Sequence, residues 1–164
     1  MASGSGDDPG GWSNGAMLGR LRWANIPLPE PHLIGFGVGL VAQVVAPWRL
    51  PVPSGVGLVV GLVLILGGLA LAGWAVWAAA SVHMAHPGRL VDDGPYAHSR
   101  NPMYVGWTIT YVGITLVLRS AWLLALLPLV LLSMHVVVLR EERRLARTFG
   151  PQFNAYRSKV RRYL

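Results

Sequence analysis

The chain has no cysteine, which excludes disulfides, cysteine zinc sites and thiol nucleophiles. Charge is scarce too. Asp, Glu, Lys and Arg make up 13% of the 164 residues, against roughly a quarter in ordinary soluble chains. A soluble chain of this size would need more polar surface to cover its core. The charge present is unevenly spread: the formal net charge is +7, and eight of the fourteen Lys and Arg residues lie from Arg140 onward. Aromatic residues do not interleave with that basic run, so no nucleic acid is expected as a partner. A basic tail beside apolar segments fits anionic lipid headgroups better. The beginning of the chain lacks a positive stretch leading directly into an apolar run, so no signal peptide is read there. Internal repeats are also lacking.

Hydrophobic residues make up 53% of the chain, and they cluster. Residues 1–16 are Gly- and Ser-rich and read as a disordered tail. Residues 17–31, with Arg20, Arg22, Trp23 and three prolines, read as an interfacial lead-in. Four apolar segments follow. The first, Leu33 to Ala46, falls short of the roughly 20 residues of a full span unless Pro47-Trp48 lies at the interface. The second, Gly55 to Ser81, carries no charge. Its small residues Gly57, Gly61, Gly68, Ala72 and Gly73 either let a neighbouring helix approach closely or merely reflect a Gly-rich chain. The third runs from Pro102 to Leu118. The fourth runs from Ala121 to Leu139 and contains Pro128, which should kink it or leave it irregular. Arg119-Ser120 leaves room only for a tight hairpin.

The expected fold is therefore all-α and membrane-integral, with about four transmembrane helices and a C-terminal amphipathic helical tail. Residues 32–164 form a single membrane domain behind the N-terminal segment 1–31. Four spans put both termini on one face. Arg20, Arg22, Arg89, Arg100 and the eight C-terminal Lys and Arg residues fall on that face, and only Arg49 and Arg119 on the other. The positive face is cytoplasmic, so the loop 82–101 and the tail 140–164 share a compartment and can meet. The expected location is a bacterial inner membrane.

Two polar features stand out. One is the stretch from Gly94 to Tyr104. Gly94-Pro95 is a turn signal. Asn101-Pro102 reads as a helix start, with Asn as the cap and Pro at the first helical position. Free N–H groups there favour an anionic group, although an ordinary loop between helices has the same pattern. The other is Glu141-Glu142, where the fourth helix leaves the apolar region. On a helix the two acids point about 100° apart, so one can face the loop while the other pairs with arginine. Beyond them Leu145, Phe149, Phe153, Tyr156 and Val160 make an apolar stripe broken at Gly150-Pro151, which suggests two short amphipathic helices on the membrane face. Such a stripe is a packing surface or an interfacial anchor.

The ordered set Gly94-Pro95-Tyr96, Arg100-Asn101-Pro102-Met103-Tyr104-Val105-Gly106, Glu141-Glu142-Arg143-Arg144-Leu145, Phe149-Gly150 and Tyr156 resembles the isoprenylcysteine carboxyl methyltransferases and the related membrane phospholipid methyltransferases. The resemblance covers about residues 81–160. It implies S-adenosylmethionine as methyl donor, leaving as S-adenosylhomocysteine. It further implies that Leu90 and Val91 contact the nucleoside through their backbone, that Tyr96, Asn101, Pro102, Met103 and Tyr104 surround the cofactor, and that Glu141 binds its polar end. A further contact near Ser81 or His83 is implied. Two departures from the family pattern stand out. Asn101 replaces the usual His before the helix-opening Pro. Val137 stands where the eukaryotic carboxyl methyltransferases have an Arg facing substrate, so the acceptor need not be a prenylated cysteine.

The expectation is thus a membrane methyltransferase whose lipid-like or small amphipathic acceptor enters sideways from the bilayer. The acceptor group is a carboxyl, an amine or a hydroxyl. A carboxylate acceptor needs no base, whereas an amine or hydroxyl must lose a proton. His83, His86, His98 and His135 are the candidates for taking it. His135 is singled out as the catalytic candidate, because it lies within the fourth apolar segment about two turns before Glu141. Metal binding is not expected. The alternatives are a relative that has lost methyl transfer and serves as a binding or accessory subunit, and a structural protein held to lipid by its basic tail.

Overall fold

A computed structural model describes residues 30–85 and 89–164. The expectations for residues 1–29, for His86 and for the His83 side chain lie outside the described residues. The helices are α1 (Glu30–Val45), α2 (Ser54–Ala85), α3 (Pro102–Leu118), α4 (Ala121–Phe149) and α5 (Pro151–Lys159), with a 3-10 turn over Gly94–Ala97 between α2 and α3. The described residues contain no strand beyond two isolated bridges, Arg49 with Ser120 and Ser99 with Arg161. The fold is all-α.

Among the described residues two helices are long and apolar enough to cross a membrane: residues Ser54–Val82 of α2 and Ala121–Phe149 of α4. At 29 residues each, they measure about 44 Å, against a hydrocarbon core of about 30 Å. Only 22% of each apolar window is buried within the protein, so most of its surface is left to meet lipid. The core helix of a soluble protein would be largely covered. Trp74 and Trp77 are exposed towards the far end of α2, as aromatic side chains at a membrane interface are. The other two apolar helices are shorter, with 16 residues in α1 and 17 in α3.

α2 and α3 pack backbone to backbone. A Cβ on Gly61 would lie 2.6 Å from the Gly113 carbonyl oxygen, and one on Gly113 would lie 2.7 Å from that of Gly61. Gly68 and Gly106 face each other in the same way, with Gly106 also against Ala72. Of the two readings of the small residues in α2, the close-approach one holds for Gly57, Gly61, Gly68 and Ala72. Gly73 has nothing within 4 Å and lies off the seam. α1 packs on α4 by the same device: a Cβ on Gly35 would clash with Val130, and one on Gly39 with Leu123.

Several boundaries differ from expectation. α4 runs unbroken through Pro128. The Tyr111 hydroxyl of α3 donates to the Leu123 carbonyl in the first turn of α4 at 3.0 Å, which ties the two helices together; the carbonyl that Pro128 leaves without its helical N–H partner is that of Leu124. α4 also continues to Phe149, so the first of the two expected amphipathic helices is its own extension. Nothing between Leu139 and Phe149 breaks a helix. Gly150, at φ 48°, followed by Pro151 does, and only α5 is separate. α2 continues past Ser81 to Ala85, and α1 starts at Glu30, with Pro31 in its first turn, where proline is tolerated. The hairpin at Arg119-Ser120 is as tight as expected: Arg119 adopts the left-handed conformation and the Ser120 side chain accepts from the Leu123 N–H, capping α4.

Candidate active site

α2 and α4 start at the same end of the bundle and run in the same direction, with α3 antiparallel to both. Their far ends are joined by the loop 89–101, α5 and residues 160–164. Within the loop, Gly94 at φ 57° opens the 3-10 turn, Pro95 is buried, and the Ser99 N–H donates to the Pro95 carbonyl at 3.2 Å. The Tyr156 hydroxyl of α5 donates to the Tyr96 carbonyl at 2.7 Å. Leu90 is buried against Phe153 and Tyr156, with Leu145, Phe149 and Val160 around them. The apolar stripe is therefore a packing surface that fixes the start of the loop.

The tail returns onto the loop. The Arg100 N–H donates to the Arg161 carbonyl at 2.9 Å. The Asn101 side chain donates to the Arg162 carbonyl at 3.0 Å, and the Ser99 hydroxyl donates to the same carbonyl at 3.4 Å. Asn101 thus does not cap α3 with its side chain, as its place before Pro102 suggested. The tail carbonyl draws that amide away, which leaves the first turn of α3 without a side-chain cap.

The two acids divide as their angular separation allows. Glu142 is buried, and Arg162 holds it in a two-point grip: Nε donates to Oε1 at 3.0 Å and Nη2 to Oε2 at 2.9 Å. Arg100 Nη1 lies 3.3 Å from Oε1. Burial pulls the Arg100 guanidinium below the ordinary arginine value, with Glu142 opposing that shift. Glu141 is partly exposed and has no ion pair among the described residues. Its charge raises the Tyr96 phenol, second to the effect of burial.

Met103 and Tyr104, in the first turn of α3, are buried against Ala72 and Ala75 of α2 and Met134 and Val138 of α4, with Tyr96, Val137 and Tyr163 packed against the same cluster. Tyr104 is 2% exposed, and its hydroxyl has no hydrogen-bond partner among the described residues. A buried hydroxyl left unpaired costs free energy, so it is a ready donor for a ligand. The His135 Nδ1 lies 2.8 Å from the Tyr163 hydroxyl, which orients the ring from the tail. The Ser81 hydroxyl donates back to the Ala78 carbonyl at 2.9 Å. His98 is exposed.

The expected site residues Tyr96, Met103, Tyr104 and Glu141 thus share one end of the bundle, with Leu90, Asn101 and Pro102 in the wall behind them. Val91 is partly buried one residue after Leu90. Sequence reasoning missed His32. It is 4% exposed, its Nε2 lies 3.0 Å from the Thr108 hydroxyl, and its Nδ1 is buried without a partner among the described residues. A polar residue at the head of an apolar helix was the signal available.

Burial, with the Glu141 carboxylate nearby, pushes the Tyr96 phenol up to about 12 from its ordinary 10.0. The native state therefore holds that proton more tightly than the unfolded chain does. This contribution to stability is fully present below pH 10 and is lost as pH rises through 12. Alkaline unfolding in detergent should show the loss, and Tyr96→Phe should flatten it. An unchanged alkaline profile in that variant would contradict the assignment.

The geometry defines a helical membrane protein with an acid- and phenol-lined end closed by its own tail. A family model described as phospholipid methyltransferase matches residues 56–152, and the chain belongs to that family. The match runs from the first turn of α2 to the start of α5 and so contains Tyr96, Tyr104, His135 and both acids. Comparisons with curated proteins and with solved structures give no match.

Proposed function

We propose that the protein is an S-adenosylmethionine-dependent methyltransferase spanning the membrane with four helices, α1 to α4, and acting on a lipid-like or small amphipathic acceptor. The observation that carries this reading is the buried Tyr104 hydroxyl, without a hydrogen-bond partner among the described residues, at the same end of the bundle as Glu141 and inside the family-matched segment. The residues fit the cofactor. Its sulfonium and ammonium are cations, which a partly buried carboxylate and electron-rich phenol rings attract. Its ribose and carboxylate accept hydrogen bonds, which the Tyr104 hydroxyl and the uncapped first turn of α3 can donate. When bound, S-adenosylmethionine supplies an electrophilic methyl group.

The protein's own contribution is position and dryness. Tyr96, Met103 and Tyr104 would form the wall of the cofactor site, and Glu141 would hold its polar end. Leu90 and Val91 would border the nucleoside. Asn101 and Pro102 set the direction of α3 and hold it to the tail. Fixing donor and acceptor in line lowers the barrier by removing their freedom to misalign. For an amine or hydroxyl acceptor, His135, oriented by Tyr163, would take the proton. The exposed apolar faces of α1, α2 and α4 suit an acceptor that arrives from the bilayer. In this reading the loop and both termini face the cytoplasm, in keeping with the basic residues clustered at that end.

Binding of labelled S-adenosylmethionine to the full chain in detergent tests this. Glu141→Ala should weaken binding by roughly ten-fold or more, the loss expected for a hydrogen bond to a charged group, while the helical signal stays unchanged. Unaltered affinity would remove Glu141 from the site. Incubation with extracted membrane lipids and mass analysis of the products should then reveal an acceptor heavier by one methyl group. Cofactor binding with no methylated product from any lipid fraction would favour a binding or accessory role.

A further inference from the structure

At the opposite end of the bundle, where α2 and α4 begin, a cavity of about 440 Å³ opens between the end of α1 and the end of α3. Arg49 and Arg119 line it, with Gln43 and the apolar side chains of Leu40, Val44 and Leu118. The backbone around it is firmly held. The Leu50 N–H donates to the Arg119 carbonyl at 2.7 Å and the Ala121 N–H to the Trp48 carbonyl at 2.9 Å. The Trp122 indole donates to the Ala46 carbonyl at 2.7 Å, and Trp48 stacks edge-on against Trp122 with centroids 5.4 Å apart. Paired tryptophans, one with its indole N–H satisfied by a backbone carbonyl, mark the level of a membrane interface.

Among the described residues the two arginines lack a counter-charge. The chain has no Asp or Glu between Glu30 and Asp92, and none between Asp93 and Glu141. Glu30, Asp92, Asp93, Glu141 and Glu142 belong to the other end of the bundle. Among the described residues neither Arg49 nor Arg119 has a carboxylate partner. Arg119 Nη1 donates to the Val52 carbonyl at 3.3 Å, which fixes its direction without neutralising it. The Gln43 Oε1 accepts from the Ser120 hydroxyl at 2.9 Å, and this leaves the amide N–H donors of Gln43 for a ligand. The walls beside these donors are apolar and exposed: Val44 is 82% and Leu118 42% exposed.

We infer that this cavity binds the phosphate of an anionic membrane phospholipid, in the leaflet opposite the Glu141 end. Arg49 and Arg119 contact the phosphate oxygens, and Leu40, Val44 and Leu118 meet the upper acyl chains. Two guanidiniums without acids supply the charge, and an apolar wall continuous with the lipid-facing helices supplies the preference for a lipid over a free anion. The inference does not depend on the methyl-transfer reading, since it concerns the other end of the molecule.

Native mass spectrometry of the full chain in detergent, titrated with dioleoylphosphatidylglycerol, tests it. One tightly retained lipid adduct is expected, and dioleoylphosphatidylcholine should be held roughly ten-fold or more weakly. Arg49→Gln with Arg119→Gln should remove that adduct. Arg49 is exposed, so Arg49→Glu alone is a fold-sparing variant and should also abolish it. Arg143→Gln with Arg144→Gln makes the same charge change at the opposite end and should leave the adduct in place. Equal loss from both double variants would mean diffuse charge attraction and would overturn the site. Displacement of the lipid by equimolar inorganic phosphate would overturn the lipid assignment.

Discussion

Glu142→Ala should destabilise the protein by about 3 kcal/mol, at the low end of the range for removing one partner of a buried ion pair. The discount reflects Arg162, whose side chain is 33% exposed and can recover water. Arg100 cannot. Its side chain is 9% exposed, and among the described residues its Nε and Nη1 have no hydrogen-bond partner beyond the ion contact with Glu142. The variant would therefore bury an uncompensated cation two residues before Pro102. Thermal unfolding in detergent should show the loss, and limited proteolysis should show residues 160–164 released from the loop. Glu142→Gln should fall between, since an amide still accepts a hydrogen bond but carries no charge. Glu141→Ala should leave unfolding nearly unchanged, because Glu141 is partly exposed and has no ion pair among the described residues. If the two alanine variants unfold alike, the division of labour between the acids is wrong.

That division was readable from helix geometry, but which acid turned inward was not. Neighbouring residues on a helix must point about 100° apart, yet the identity of the buried one depends on Arg162, twenty residues away. The return of the tail rests largely on backbone groups: Arg100 N–H to Arg161 and the Asn101 amide to the Arg162 carbonyl. Backbone pairing between two irregular segments leaves no periodicity and no composition signal. Asn101 shows the consequence, as a residue well suited to capping was drawn to a carbonyl from a distant segment. The ends of α3 were clear because Asn-Pro opens it and Arg-Ser closes it. The small residues of α2 were visible as a spacing, but their partners Gly106 and Gly113 could be matched only with both helices in place. Gly35 and Gly39 had the same four-residue spacing and were passed over in a segment too short to read firmly as a span. Whether α1 and α3 cross the bilayer depends on how lipid meets their ends, which helix length alone does not decide.

Gly106→Leu should be the most damaging single change on α3. A Cβ at this position would sit 2.6 Å from the Gly68 carbonyl oxygen, 2.8 Å from the Ala72 N and 3.0 Å from the Ala72 Cβ. Most of these are backbone atoms, and none can turn aside as a flexible side chain would. Gly106→Ala alone should cost about 1–3 kcal/mol by overpacking, and Leu should force α2 and α3 apart. In lipid that separation is doubly unfavourable. Burying the seam gains little hydrophobic free energy there, so close van der Waals contact carries the association. Tyr104 lies two residues before Gly106 and packs on Ala75 of α2, so a shift at the seam moves the Tyr104 phenol relative to Glu141 on α4. Gly106→Ala should therefore weaken S-adenosylmethionine binding in detergent as well as lower the unfolding temperature. Gly73→Ala, on the same helix as Gly68 but with nothing within 4 Å, should do neither. Equal tolerance of Ala at positions 73 and 106 would show that the seam does not set the position of Tyr104.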